Sequence, residues 1–586
     1  MSDQAAADRL QRESHRRLAQ YSSLRGREAK PGEFWDVIVI TAADKQQERA
    51  YQQQIADKLT RKELPLGVRY HVFSDPPGPK IGNGGSTLYA LHCLHQLYPS
   101  DLDAFTVMLI HAGGYSQRLP HASALGKIFT ALPFGDPVYQ MIDLKLAIYI
   151  DFPANMKPGV LVTCADDIEL YSSQEMPVTF DRPGITALAH PSTLAIGTTH
   201  GVFVLENSDL ECSELQIRSC KSYLHKPSVE KMRQTGAVTI DLSKTSPLQS
   251  QDKNNPCPEI VHTDSLFYMD YTTAKLLLGF FQELGSVTCE IDAYGDFLQA
   301  LGPDATLDYT ENTANVSKIE SQLTDVRKKI YFLLRATGFT VVVLNNSKFY
   351  HIGTLQEYLH HFTSDARLRA ELGLQADVFS IIPDQDKNKN IKACVIQSIL
   401  DAQCRVSPHT VIEYSRLGPG VSVGECCIIS GSCISIRSTI PDKSFVSSLS
   451  LVIDGRLMHA TILFGIEDDL KRSAASLSDL NSLQIFGESL LQCLELWGIG
   501  VSEKLFSSSR KSLWSARLFP TCATLRESVE ASLAMLAAAH SQSRVRLGDA
   551  KRLSIEEMLE CKNVEEMLNF RNLLYKEICA ERQGRV

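Results

Sequence analysis

Between about residues 395 and 465 aliphatic side chains return every six residues, and very few architectures accept that period. Val411, Leu417, Val423 and Ile429 fall six apart, with Gly418, Gly420 and Gly424 between them. Six residues make one side of a parallel β-coil whose turns stack, so the pattern predicts a left-handed β-helix. The phase slips by one residue and resumes at Ile434, Ile440, Val446 and Val452, which reads as a bulge or corner adjustment inside one stack. An ordinary sandwich or meander with repeating strands is the competing architecture.

Upstream the grammar is different. Apolar runs at 37–40 and 68–73 flank a polar helical stretch, and further short β-rich runs follow at 105–110, 160–164, 185–189 and 201–205. Such alternation predicts an α/β fold, a Rossmann-like doubly wound domain over residues 34–365. Residues 1–33, with Arg9, Arg12, Arg16, Arg17 and Arg25 among Gln and Ser, read as a polar helical extension. The β-helix then spans 366–470. Residues 471–586 read as a helical region, with Leu490, Leu491, Leu494 and Trp497 on one face. Helix starts are marked at Ser554 with Glu557 and at Asn563 with Glu566.

A chain of 586 residues, 44% hydrophobic, is too long for one core. Its net charge of −9 argues against nucleic acid as a partner. The first thirty residues lack the apolar segment of a secretory signal, and no run approaches the roughly 18 apolar residues of a membrane span. The fifteen cysteines are scattered, without the paired spacing of a zinc site. A cytoplasmic protein with reduced thiols is expected.

The most chemical stretch follows the run at 105–110: His111-Ala112-Gly113-Gly114-Tyr115-Ser116-Gln117-Arg118-Leu119-Pro120. A strand feeds a glycine turn there. Gly113 and Gly114 have no Cβ, so backbone amides can approach phosphate oxygens, and Arg118 can add bidentate contacts. Lys127 lies within reach of the same anion. A tight connection is the plain alternative for any Gly-Gly turn. Upstream, Asp75-Pro76-Pro77-Gly78-Pro79-Lys80-Ile81-Gly82-Asn83-Gly84-Gly85-Ser86-Thr87 opens a helix whose amides make a second anion or nucleobase cradle. It is not a P-loop, since no Gly-Lys-Ser/Thr ends it.

Together these stretches resemble the sugar-1-phosphate nucleotidyltransferases, whose Gly-Gly-x-Gly-Thr-Arg loop precedes a Pro-Lys step. Ser116 stands where that family has glycine, and Gly126 where it has proline. The Gly-Asn-Gly-Gly-Ser-Thr loop ahead of the Gly-Gly turn is similar to the GDP-fucose pyrophosphorylase branch. The resemblance covers about residues 34–465 and is most specific at 75–127.

The resemblance implies a set of roles. Gly82, Gly84, Gly85, Ser86 and Thr87 would meet the guanine nucleotide, with Gly113, Gly114 and Ser116 on its phosphates. Asp166, ending Leu161-Val162-Thr163-Cys164-Ala165-Asp166, would hold Mg²⁺. His200, Gly201 and Asp264 would face the sugar, and Lys226 its phosphate. The closing segment Phe349-Tyr350-His351-Ile352-Gly353-Thr354-Leu355 carries histidine where the family has a metal-binding aspartate, and imidazole is a poor Mg²⁺ ligand. Asp292 and Asp296 are the substitutes.

The implied reaction joins GTP and L-fucose 1-phosphate into GDP-L-fucose and pyrophosphate, as in fucose salvage, with Arg118, Lys127 and Lys226 as catalytic cations. Two alternatives stand beside it: transfer to another hexose 1-phosphate or from another nucleoside triphosphate, and a non-catalytic nucleotide-sugar sensor. No kinase-type phosphate motif occurs in 470–586, and no Gly-x-Ser-x-Gly elbow of a hydrolase appears. Self-association, if any, is expected through the β-helix or the helical region.

Overall fold

The computed structural model describes residues 3–173, 176–206, 213–240, 259–382, 393–548 and 550–584. They form two compact units, one of residues 1–113 and 143–351 and the other of 114–142 and 352–586. This division differs from the expected one. The stretch 114–142 joins the C-terminal unit, and the β-stack and the region after it share that unit. No helix among the described residues is long and apolar enough to cross a membrane.

The first unit is built on strands β1 (Val37–Ala42), β2 (Arg69–Ser74), β3 (Thr106–His111), β4 (Gly159–Cys164), β5 (Asp167–Tyr171), β6 (Ile185–Thr193), β7 (Gly201–Leu205), β8 (Leu215–His225), β9 (Thr239–Ile240), β10 (Glu259–Asp270), β11 (Phe339–Leu344) and β12 (Ser347–His351). The main sheet runs β2-β1-β3-β4-β10-β6-β11-β8-β7, with β9 on β10. Its first four strands are parallel; β10 then enters antiparallel and the rest is mixed. Every residue of β1 is buried, as expected of a strand covered by helices on both faces. β5 and β12 form a separate antiparallel pair that sets His351 opposite Asp167.

The arginine-rich N-terminus is no loose extension. It forms the helix Asp3–Leu24, whose Arg17 is buried, bonding Asp151 Oδ2 (2.9 Å) and the Tyr171 carbonyl (2.7 Å) with its guanidinium over the Tyr171 ring. Tyr21 donates to Asp143, which also pairs with Lys58 at 2.8 Å.

In the second unit, three ladders of short parallel strands climb together. One contains Cys394–Ile396, Val411–Glu413 and Ile428–Ser430; the others contain Arg416–Leu417 and Ser422–Val423 with their neighbours above and below. Register partners such as Ile412 and Ile429, or Leu417 and Ile434, place residues 17 apart directly over one another, as Ser415 N on Ser398 Oγ does. The stacked apolar row reads Val395, Leu400, Val406, Ile412, Leu417, Val423, Ile429, Ile434, Ile440 and Val446. Each coil therefore takes one five-residue and two six-residue steps.

Two expectations change accordingly. The slip after Ile429 is a corner that recurs in every coil, and Val411 lies one residue out of phase with the stacked row. Val452 is 45% exposed, because Ser444–Ile453 leaves the stack to pair antiparallel with Arg456–Gly465. Beyond it, 471–520 is less helical than expected, holding the helix Leu490–Leu496 among 3₁₀ turns and two-residue strand pairs. Leu490, Leu494 and Trp497 are buried as expected. The capping box at Ser554 and Glu557 opens the helix Ile555–Glu560, and Asn563 caps Val564–Gly584.

Candidate functional site

The carboxyl ends of β3 and β4 lie side by side, with His111 opposite Cys164. Past β3, the amides of Ala112 and Gly113 donate to Thr41 Oγ1 at 3.2 and 3.4 Å. A Cβ on Gly113 would press within 3.1 Å of the backbone at Ala42 and Ala43, so this glycine serves close backbone approach. Past β4, Ala165 N donates to the His111 carbonyl, and Asp166 follows, its side chain 21% exposed and Oδ2 3.6 Å from His351 Nε2. Behind it lies a buried cluster in which Lys145 pairs with Asp167 and reaches Thr163 and Tyr149. Burial pushes the Glu169 carboxyl up to about 8 against the pull of Lys145, and it raises Asp167 as well.

The first glycine loop enters the same unit differently from expectation. Gly82, Gly84 and Gly85 lie within the helix Gly82–Leu97, and the Gly84 amide donates to the Ile291 carbonyl at 2.8 Å. A Cβ on Gly84 would stand 2.7 Å from the Ile291 side chain and 2.9 Å from the Ala293 amide. Gly82 and Gly84 therefore admit the chain at 291–293 against the helix, and Gly85 admits the Ile81 side chain. Ser86 Oγ donates to Asp75 Oδ1 (2.5 Å) and the Gly82 carbonyl (2.9 Å). Thr87 is wholly buried, bonded to the Asn83 carbonyl and to His111 Nε2 at 2.8 Å. Both hydroxyls thus hold the loop itself.

The substitute carboxylates separate on inspection. Asp296 is buried and paired with Arg327 Nε at 2.9 Å, while its Oδ2 accepts from the Asp292 amide. Each of its oxygens thus faces a protein partner in the interior, which holds the segment 292–297. Asp292 is 26% exposed in its side chain; Oδ1 caps Tyr294 and Gly295, and Oδ2 lies 3.7 Å from His225 Nε2. Burial lowers the His225 pKa, keeping it neutral. Chemically, Asp166 suits Mg²⁺, which takes one or two carboxylates and completes its shell with water and phosphate, and Asp292 Oδ2 is a donor of the same type. Among the described residues the one three-membered group of metal-ligand type is His360, His361 and Asp365, in the other unit.

The sugar-side residues do come together. Gly201 N donates to Asp264 Oδ1 (2.8 Å) and Tyr223 Oη to Asp264 Oδ2 (2.6 Å). Lys226, exposed and at φ 48°, donates its amide to the His200 carbonyl, and the His200 ring rests 5.2 Å from Phe349. Each oxygen of Asp264 is thus engaged by a protein donor, and the two bonds align β7, β8 and β10. Sequence reasoning missed Tyr294. Its hydroxyl donates to the Ser265 carbonyl (3.2 Å) and lies 3.5 Å from Cys164 Sγ, with its ring edge-on to His111. It ties the ends of β3 and β4 and the middle of β10 to the 291–297 segment, and only its place beside Asp292 hinted at this.

The remainder of the glycine turn belongs to the second unit. Gly114 has φ 107°, a backbone angle that side chains rarely accept. Ser116 is buried, and its carbonyl accepts from Ser123 Oγ at 2.9 Å. Arg118 is exposed, its carbonyl tied to Leu355 N at 3.0 Å. Gly126 at φ 97° ends the helix Pro120–Leu125, and Lys127 begins the 3₁₀ turn Lys127–Phe129, half-buried.

Residues 99–524 match the family described as the fucose pyrophosphorylase domain. A human protein named fucose-1-phosphate guanylyltransferase is 56% identical over 97% of this chain and 95% of its own length. The mouse protein of that name is 55% identical over 97% of each chain. An Arabidopsis thaliana protein named bifunctional fucokinase/GDP-fucose pyrophosphorylase is 24% identical, over 91% of this chain and 52% of its own.

Proposed function

The chain belongs to the fucose pyrophosphorylase family, and on that premise we infer that it transfers GMP from GTP to L-fucose 1-phosphate, giving GDP-L-fucose and pyrophosphate. It is a nucleotidyltransferase. The observation that carries the site assignment is the partly exposed carboxylate of Asp166 just past β4, next to the strand that feeds the glycine turn.

In the reaction a phosphate oxygen of the sugar attacks the α-phosphorus in line. The new oxygen–phosphorus bond forms as the bond to the β-phosphate breaks, and pyrophosphate departs. Two polyanions must meet, so alignment and charge neutralisation dominate over any nucleophilic side chain. Arg118 and Lys127 would face the triphosphate, and Lys226 the sugar phosphate. Asp166, with Asp292 as the second oxygen donor, would hold Mg²⁺, which supplies charge neutralisation at the phosphates. His351, 3.6 Å from Asp166, orients that carboxylate instead of ligating the metal itself. We read the 17-residue coils as a left-handed β-helix, supported by the stacked aliphatic row, and place the enzyme in the cytoplasm on its scattered cysteines.

Pyrophosphate release, measured across the four common nucleoside triphosphates and a panel of hexose 1-phosphates with and without Mg²⁺, tests the reading. Turnover is expected only with GTP, fucose 1-phosphate and Mg²⁺ together. Binding of GDP-fucose without turnover would favour the sensor and sink the enzyme.

A further inference from the structure

The C-terminal region carries no chemical motif, yet it delivers a cation to the glycine turn inside the second unit. Residues 561–563 run beside the outer end of the strand Ser444–Ile453. Val452 N donates to the Cys561 carbonyl and Asn563 N to the Ser450 carbonyl, both at 2.7 Å, with Leu451 and Lys562 facing each other as an antiparallel bridge. The backbone is thus pinned on both sides of Lys562. The helix Ile555–Glu560 ends just before it, and Asn563 caps Val564–Gly584 just after it.

From that anchor the Lys562 side chain, in a residue 8% exposed, brings its Nζ to 5.0 Å from the centre of the Tyr115 ring. Tyr115 lies between Gly114 and Ser116 in the turn. A largely dehydrated ammonium set against an aromatic face is held there by the ring's quadrupole, more strongly than the same pair would be in water. Neighbouring residues of the turn are tied through their carbonyls, Ser116 to Ser123 and Arg118 to Leu355. Gly114 has the most permissive backbone in the turn, so the ring beside it is where a side-chain restraint has the most to hold.

We propose that Lys562 is a positioning residue for the nucleotide: it clamps Tyr115 and so fixes the backbone between Gly114 and Arg118 in the shape that receives the triphosphate. The proposal rests on the reading of this turn as the triphosphate grip. It makes the C-terminal region a working part of the nucleotide site.

The test uses the full chain and pyrophosphate release, with separate KM values for GTP and fucose 1-phosphate, kcat, and the melting temperature. Lys562→Met and Tyr115→Leu are expected to raise the KM for GTP roughly three- to thirtyfold, leaving the KM for fucose 1-phosphate unchanged. Lys562→Arg and Tyr115→Phe, which keep cation and ring, restore the GTP value. A KM for GTP unmoved in Lys562→Met overturns the proposal, as does an equal rise in Tyr115→Phe. Should Lys562→Met lose its cooperative melting, Tyr115→Leu decides by the same readouts. Lys127→Ala serves as the reference. If it stays fully active, the turn is no phosphate grip; if it is inactive while Lys562→Met is ordinary, the clamp alone fails.

Discussion

Lys127 follows a glycine whose φ of 97° turns the chain out of one short helix and into the next. Replacing it with alanine removes a cation without touching that backbone, and turnover is expected to fall at least about a hundredfold through lost transition-state stabilisation. A near-normal kcat in a steady-state assay would remove Lys127 from the machinery. Asp296 makes the opposite case. Because it is paired with Arg327 in the interior, Asp296→Ala should destabilise the fold by about 3–5 kcal/mol in urea denaturation, as a broken buried pair does. The Mg²⁺ dependence of the folded fraction should not move; a weakened Mg²⁺ requirement would return Asp296 to the metal. Neither Asp296 nor Asp292 announces its role in sequence, since four residues of separation put both in one short helical turn and only Arg327 tells them apart.

Among the elements, the coil stack shows how a repeat becomes an internal ladder. Ser415 accepts from Ser432 N at 3.1 Å and donates to the Glu413 carbonyl at 2.8 Å, while its own amide donates to Ser398 Oγ at 3.0 Å. All three serines are fully buried. Ser415→Ala leaves the Ser432 amide without that acceptor and is expected to cost about 1–3 kcal/mol. Thermal or urea unfolding would read it, and an unchanged midpoint would show that the ladder contributes nothing. Aliphatic spacing made the stack legible, because each coil must return a side chain to the same interior. The five-residue corner was not, since its register is set by the coil above and below.

For the molecule as a whole, the interior histidines of the first unit set an acid limit. Burial pushes His190 down to about 3 and His111 and His262 down to about 4. His190 bonds Ser347 and Ser265 through its two ring nitrogens, each at 2.8 Å. An unfolded histidine binds its proton near pH 6.5, so below that value the unfolded chain takes up protons that the folded one refuses. Stability is therefore complete above about pH 6.5 and falls by up to about 1.4 kcal/mol per histidine for each pH unit below it. Urea midpoints between pH 7.5 and 5.5 should show the decline, and His190→Gln, which can still donate to one serine and accept from the other, should make it shallower, with His111 and His262 supplying the rest. A pH-independent midpoint in the parent protein would refute the assignment.

Strand positions, the six-residue period, helix caps and the glycine turn were all written in local pattern, because apolar periodicity and backbone-permissive residues act over a few positions. The family likeness at 75–127 and the reaction it implied came from the same short stretches. What only the tertiary structure decided were the relations between distant segments. Gly84 meets Ile291, Tyr294 joins three strands, Asp264 is held by Gly201 and Tyr223, and Lys562 reaches Tyr115. No local pattern encodes these, since each depends on where packing brings a second segment, and a carboxylate or lysine looks the same in sequence whether it meets solvent, a ligand or a buried partner.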